Sequence, residues 1–165
     1  MKQLAISRFL SIPFVALVLA PSAAHLLELP NTLALPADAH LTVQQIYRGW
    51  ALLGIVIVAA VLSTAMHGIL LRLRRQPYAA VAFGLACLLA GQVVFEVFTY
   101  PANRETMNWT VLAGGWTQLR ARWEYSHAVC ALLNFTAFVA LLRAALRGGG
   151  GSSDRAAWGF QATKQ

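Results

Sequence analysis

The stretch GWALLGIVIVAAVLSTAMHGILL, Gly49–Leu71, decides the fold. It contains no Lys, Arg, Asp or Glu and is long enough to cross the roughly 30 Å hydrocarbon core of a bilayer. Three further stretches have the same character: Phe9–Leu27, Gln76–Phe95 and Tyr125–Leu142. Because an open sheet cannot satisfy its backbone in lipid, the sequence predicts an all-α, four-helix transmembrane bundle with up-down topology.

The composition agrees with a membrane protein. The 165 residues are 58% hydrophobic and 12% charged, with a mean hydropathy of +0.59. A typical soluble domain is roughly 25% charged, so a soluble globular domain is excluded, and so is a disordered chain. A net charge of +7 would favour nucleic acid in a soluble protein. Here the bilayer is the expected partner, no nucleic acid is expected, and the oligomeric state stays open.

The basic residues predict the orientation. Most of the 13 Lys and Arg residues lie before the first span, between the second and third, or after the fourth. Because Lys and Arg accumulate on the cytoplasmic side, both termini are predicted to be cytoplasmic, in a bacterial inner membrane. Residues 28–48 and 99–122 are then long outer loops. Alternatively, the first span is a signal peptide cleaved near Ser22-Ala23-Ala24.

The chain divides into residues 1–147, the four-helix transmembrane domain, and residues 148–165, a predicted flexible tail. Its run GGGGSS is typical of flexible linkers, including artificial ones.

Polar side chains recur within the spans, where they are costly and mark function by default. His25 and Glu28 lie at the end of the first span. The spacing predicts that one face of the third helix carries Gln92, Glu96, Thr99 and Asn103. Pro101 would end that helix before Asn103. One face of the fourth helix carries Arg120, Glu124, His127 and Asn134. All converge at a similar depth toward the outer side. The spacing Glu124-x-x-His127 is the Glu/His pair of di-iron bundles. Five side chains therefore form a candidate site for iron, zinc, manganese or copper: His25, Glu28, Glu96, Glu124 and His127.

Other interpretations stay open at this stage. Glu28 and Glu124 could pair with Arg48, Arg120 or Arg122, and His25 and His127 could hold a haem. His67 alone on an apolar span is typical of a hydrogen-bonded core histidine. Cys87 and Cys130 form no CxxC motif, so they are expected to be small buried side chains.

A short pattern adds a family resemblance. Pro101-x-Asn103, Trp109, Trp116 and Arg120-x-x-Trp123-x-x-x-His127 together resemble the anthrone-oxygenase-like family of small four-helix membrane proteins, over about residues 5–146. The resemblance implies flat lipophilic substrates and site roles for Asn103, Trp116, Arg120, Trp123 and His127. Cys130 departs from the pattern, since many relatives carry a basic residue there.

The expected function is a membrane oxidoreductase, an oxygenase that uses molecular oxygen on a lipophilic aromatic or quinol-like substrate. In one chemistry the five ligands hold a redox metal, iron or copper. In the other no metal is needed: His127 or Glu96 is the general base, and Arg120 stabilises the enolate. Asn103, Trp116, Trp123 and Tyr47 would bind the substrate. The alternative is a non-enzymatic small transporter or a subunit of a membrane complex, for which His67, Ser63 and Thr64 would continue a path inward.

Overall fold

The computed structural model describes the backbone of residues 2–159 and the side chains of residues 2–147. The described chain is helical, with six α-helices: α1 Lys2–Ala34, α2 Ala37–Gln44, α3 Leu53–Leu73, α4 Ala79–Val94, α5 Tyr100–Glu105 and α6 Trp116–Gly159. Two 3₁₀ turns, Gln45–Tyr47 and Trp50–Leu52, join α2 to α3, and a π-helical turn, Phe95–Thr99, joins α4 to α5.

Four helical segments are long and apolar enough to span a membrane: Lys2–Ala34, Trp50–Leu73, Ala79–Glu105 and Trp116–Arg147. Large apolar side chains cover their outer faces, for example Phe9 at 72% and Ile55 at 70% exposure. A soluble monomer rarely exposes so large an apolar surface. The prediction of four membrane helices is confirmed, and the chain is an integral membrane protein. Its orientation and its flexible tail stay predictions, and residues 160–165 lie outside the described part.

The four long helices pack in a ring. α1 contacts α3 and α6, while α4 contacts α6 closely and α3 less extensively. Toward the end of the bundle that holds the α3–α4 turn, the interior is a hydrophobic core that includes Val81, Leu88, Ala137 and Leu141. The opposite end, where α2 and α5 lie, is called the α2 end below. It carries the polar side chains.

Small residues let α4 and α6 approach each other. A Cβ added at Gly84 would lie only 3.3 Å from the Ala137 carbonyl oxygen, and Ala137 itself is fully buried. Helix association in membranes relies on such close contacts between small residues, because lipid tails are as apolar as the helices themselves. α6 is therefore held firmly against α4 below the polar end.

The predicted loop 28–48 is mostly helical, so that prediction is wrong. α1 continues to Ala34, and α2 occupies Ala37–Gln44. The physical reason is a contact from far along the chain: Arg120 Nη1 donates to the carbonyl oxygens of Leu35 at 2.6 Å and Thr32 at 3.4 Å. The carbonyls at the end of a helix point away from it and have free acceptor capacity, and a cation is favourable there. The guanidinium of α6 thus stabilises an extended α1.

The predicted loop 99–122 is also shorter than expected. Pro101 does not end the helical segment, which runs from Ala79 to Glu105. Pro101 has no N–H to donate to the preceding turn, and the carbonyl oxygen of Val97, four residues earlier, accepts from Arg122 instead. The chain leaves helical structure at residues 106–115 only. Met107, Asn108 and Trp109 adopt positive φ angles there, between 49° and 60°. That left-handed run turns the chain back toward α6.

Candidate functional site

A cavity of about 1050 Å³ occupies the α2 end of the bundle. Apolar side chains such as Leu17, Val18 and Ile57 line its deeper walls. Its polar lining comes from every long helix except α3: His25, Gln92, Glu96, Asn103, His127 and Asn134. This mixture of apolar walls with a few polar groups is typical of a small-molecule site.

Aromatic and imidazole rings are grouped against one wall of the cavity. The ring of His25 lies 4.4 Å from that of His127, 4.6 Å from that of Tyr47 and 5.0 Å from that of Trp123, between centroids. Trp123 and His127 are 4.1 Å apart. We call these four residues the imidazole cluster. The structure therefore joins His25 and His127, as the sequence predicts.

A haem between the two imidazoles does not fit. Metal–nitrogen bonds of about 2 Å would hold the centroids of two opposite imidazoles roughly 6 Å apart. In the imidazole cluster the rings of His25 and His127 are in direct contact. The bis-histidine haem interpretation is therefore wrong.

His127 is arranged as a proton acceptor. Its Nδ1 lies 2.9 Å from the backbone carbonyl oxygen of Trp123. A carbonyl oxygen can only accept, so Nδ1 must carry the hydrogen, and Nε2 is left with its lone pair. Since His127 lines the cavity, a bound molecule can meet this lone pair.

Glu28 supports the cluster from α1. The Tyr47 hydroxyl donates a hydrogen bond to Glu28 Oε1. His25 Nδ1 lies 2.8 Å from the same oxygen, although the ring does not direct a hydrogen at it, so the two groups are in contact without a hydrogen bond. Burial, and then the hydrogen bond and negative charge of Glu28, raise the pKa of Tyr47. Tyr47 therefore keeps its hydrogen and remains the donor.

The expected arginine partners of the carboxyls have other contacts. Arg122 donates to the Val97 carbonyl oxygen at 2.9 Å, and Arg48 lies 3.4 Å from Gln45 Oε1. Within the described residues, neither makes a salt bridge to Glu28 or Glu124. Arg120 makes no salt bridge to them either, although its charge acts on Glu124, four residues later, so neither carboxyl forms the expected ion pair within the described residues.

Glu124 is fully buried, and neither of its carboxyl oxygens has a hydrogen-bond partner within the described residues. Two candidate donors are nearby. The Thr32 hydroxyl donates to the Leu29 carbonyl at 3.1 Å instead, and the Arg120 guanidinium donates to the end of α1. A buried carboxyl without partners is costly, so folding alone does not explain Glu124.

Arg120 and Trp116 do not line the cavity, contrary to the sequence prediction. The Arg120 guanidinium lies 4.5 Å over the Trp116 ring while it caps α1. Its role in the structure is to join the start of α6 to the end of α1. It is thus not placed to stabilise an enolate in the cavity.

The predicted stripe of Gln92, Glu96, Thr99 and Asn103 is divided. Thr99 is buried against α6 and hydrogen-bonds Ser126 at 2.7 Å, whereas the other three line the cavity. Glu96 is exposed at the cavity mouth. The π-helical turn at Phe95–Thr99 explains the division, because the wider turn shifts the register of the side chains that follow it.

The five predicted metal ligands are not gathered into one centre. Among the described residues, no group of three or more His, Cys, Asp or Glu side chains is arranged to hold a metal ion. Glu96 lies exposed at the mouth, and Glu124 is buried outside the cavity. The donor set therefore does not fit the predicted metal.

Asn103 and Trp123 are paired at the cavity wall. Trp123 Nε1 donates to Asn103 Oδ1 at 2.8 Å, which identifies Oδ1 as the acceptor and leaves the Nδ2 hydrogens as donors. Both side chains line the cavity, as does Tyr47. The sequence predicted that these three residues bind a substrate, and the structure brings them together at the wall of one cavity.

Sequence reasoning missed the buried face of α2. His40 is fully buried, with neither ring nitrogen partnered within the described residues. Its ring lies 4.9 Å from that of Trp109. Burial, and secondarily the charge of Arg120, lower the pKa of His40 to about 4. Gln44, one turn further on, is also buried. The spacing of four residues between His40 and Gln44 was the available signal, but it places the two side chains on one face only if the segment is known to be helical.

The prediction for His67 is confirmed, whereas the prediction of buried cysteines is confirmed for Cys87 only. His67 is buried and lies 3.0 Å from Ser7 through Nδ1, as expected of a core histidine. Cys87 is a free, buried thiol, whereas Cys130 is free and half-buried. Cys130 also lines the cavity.

Comparison with protein-family models, with curated proteins and with solved structures found no match to this chain.

Proposed function

We propose that this protein is a membrane-embedded oxidoreductase that oxygenates a flat, lipophilic aromatic or quinol-like molecule inside the cavity. One observation carries the proposal: the lone pair of His127 Nε2 is available at the wall of a cavity of about 1050 Å³. A neutral imidazole with a fixed tautomer in a partly enclosed site is suited to take a proton from a bound molecule.

The shape and lining of the cavity support a flat lipophilic ligand. Trp50 and Trp123 present indole rings to it, and Leu17 and Ile57 provide apolar contact. α3 and α4, which pack less extensively against each other than the neighbouring pairs, form one side of the cavity. We place the entrance between them, which would let a lipid-soluble substrate enter from the bilayer.

The proposed chemistry starts with proton transfer. His127 Nε2 removes a proton from an acidic CH₂ group that is conjugated through the aromatic rings to a carbonyl group on the opposite side of the same ring. The resulting enolate oxygen accepts a hydrogen bond from Asn103 Nδ2, which takes the role that the sequence assigned to Arg120. The carbanion then reacts with molecular oxygen. Overall, one CH₂ group and one O₂ give one C=O group and one water.

Glu28 supports the charged intermediate state. Proton uptake makes His127 an imidazolium ion in contact with the ring of His25. The Glu28 carboxylate lies beside His25, so it is the nearest negative charge that can offset the new cation. The resemblance to the anthrone-oxygenase-like family supports the same reaction, and the substrate of choice for a first test is therefore an anthrone.

A transporter has less support. The opposite half of the bundle contains the hydrophobic core, and His67, one of the residues of the inward path, is engaged by Ser7. The core beneath the cavity favours a site where chemistry takes place over a path across the membrane.

The test is oxygen uptake with anthrone by protein purified into lipid nanodiscs. We expect wild-type protein to exceed the background of empty nanodiscs, and His127→Phe to lose about 100-fold or more, the usual contribution of a general base. His67→Gln, which keeps a polar partner for Ser7, serves as the matched control and should retain activity. Equal rates for wild type and His127→Phe would overturn the proposal.

A further inference from the structure

One polar atom in the floor of the cavity has no hydrogen-bond partner within the described residues. Asn134 is 5% exposed and lines the cavity. Its Nδ2 donates to Ser22 Oγ at 3.1 Å. Its Oδ1 has no hydrogen-bond partner within the described residues. Buried polar side-chain atoms are rarely left in this state.

The hydrogen bonds of Ser22 establish which amide atom is free. The single hydroxyl hydrogen of Ser22 is directed at the carbonyl oxygens of Val18 and Leu19, each 3.0 Å away. Ser22 Oγ must therefore accept from Asn134, and only Nδ2 can donate. The amide orientation follows from the network, and the free atom is the acceptor Oδ1.

The opposite helix leaves space beside this acceptor. Gly91 on α4 also lines the cavity, and a Cβ added there would lie 3.9 Å from Asn134 Oδ1. Asn134 follows His127 by seven residues on α6 (134 − 127), which corresponds to about 10 Å along a helix. That separation matches roughly the long axis of three fused aromatic rings.

We infer that Asn134 is a specificity-determining residue whose Oδ1 accepts a hydrogen bond from a hydroxyl group at the deep end of a fused-ring phenol. The opposite end of the ligand then meets the imidazole cluster. The inference rests on the proposed function in taking the cavity as a substrate site, and it adds a requirement on that substrate: a hydrogen-bond donor at the end that lies away from the imidazole cluster. A ligand without that donor would leave Oδ1 unpaired.

Binding in nanodiscs under argon tests the inference without turnover. The probes are 2-hydroxyanthracene and 2-methoxyanthracene, which differ in the donor hydrogen, with empty nanodiscs to correct for partition into lipid. We expect wild type to bind the hydroxy compound about 10-fold more tightly than the methoxy compound, because a ligand without a donor leaves the buried acceptor unpaired. In Asn134→Leu the two affinities should become equal, with the methoxy compound unaffected.

Gly91→Ala is the second variant, because its added methyl group makes ordinary contacts and should leave the fold intact. It should lower the affinity for the hydroxy compound by crowding Oδ1. Equal affinities of wild type for the two probes would overturn the inference, since Oδ1 would then be satisfied by water. A preference that persists in Asn134→Leu would overturn it as well.

Different results would contradict the proposed oxygenation reaction and the proposed binding role of Asn134. His127→Phe should abolish oxygen uptake but keep the preference for the hydroxy compound, because Asn134 lies two turns away. If oxygen uptake is absent in wild type while the preference is present, the proposed reaction is wrong and the binding site stands.

Discussion

Tyr47 donates a hydrogen bond to Glu28, which lies 19 residues earlier in the chain. The bond fastens the turn after α2 to the last part of α1. The same Glu28 oxygen is 2.8 Å from His25 Nδ1, so one carboxyl organises both the segment that covers the α2 end and the imidazole cluster.

Tyr47→Phe should weaken both the fold and the proposed activity. It removes a hydrogen bond to a charged group, which is worth about 1.5–3 kcal/mol; because Glu28 is partly exposed, we expect about 1 kcal/mol in thermal unfolding. Oxygen uptake should fall about 10-fold as Glu28 loses its orientation. Tyr125→Phe, at an exposed position on α6, is the control. An unaltered melting temperature for Tyr47→Phe would contradict the structural role of the bond.

Glu124→Gln should make the protein more stable and less active. The buried carboxyl has no hydrogen-bond partner within the described residues, so removal of its charge relieves a desolvation cost, by about 1–2 kcal/mol. Residues kept despite such a cost are typical of functional sites. Thermal unfolding and oxygen uptake measured on the same preparation give both readouts. Glu105→Gln, which is exposed, should alter neither, and a less stable Glu124→Gln would refute the prediction.

His40 should make the fold sensitive to mild acid. Its folded-state pKa is lowered from 6.5 to about 4, so between these values the unfolded state binds a proton that the folded state excludes. Stability is therefore complete above pH 6.5 and is lost as the pH falls toward 4. The melting temperature should fall less between pH 7 and pH 5 in His40→Phe than in wild type. Parallel pH profiles for the two proteins would show that His40 is not the cause.

Arg120→Lys should destabilise the α2 end without removing the cavity. Lysine keeps the charge but loses the planar group that reaches two carbonyl oxygens and stacks on Trp116. We expect a loss of about 1–2 kcal/mol in unfolding free energy, and faster hydrogen exchange at the end of α1. Arg122→Lys, an exposed arginine with one carbonyl contact, should have a smaller effect. If Arg120→Lys abolished oxygen uptake while leaving exchange at α1 unaltered, the capping role would be wrong.

Part of the site was predictable because it depends on local spacing. His25 and Glu28 are three residues apart on one helix, and so are Glu124 and His127, so each pair shares a face wherever the helix lies. The family resemblance implied that Asn103 and Trp123 belong to one site. Local spacing could not predict whether Glu96 joins the other predicted metal ligands, because Glu96 lies in a π-helical turn. No local pattern in the sequence indicates that turn.

The sequence by itself determined the class of protein and the four membrane helices, because the length and hydropathy of a segment decide whether it can cross lipid, whatever its neighbours are. The tertiary structure decided which polar groups have partners. Arg120 became a helix cap, Glu124 was left without a partner within the described residues, and Asn134 was left with a free acceptor. These outcomes depend on contacts between segments that are distant in sequence, and on the one hydrogen that a hydroxyl such as that of Ser22 can donate.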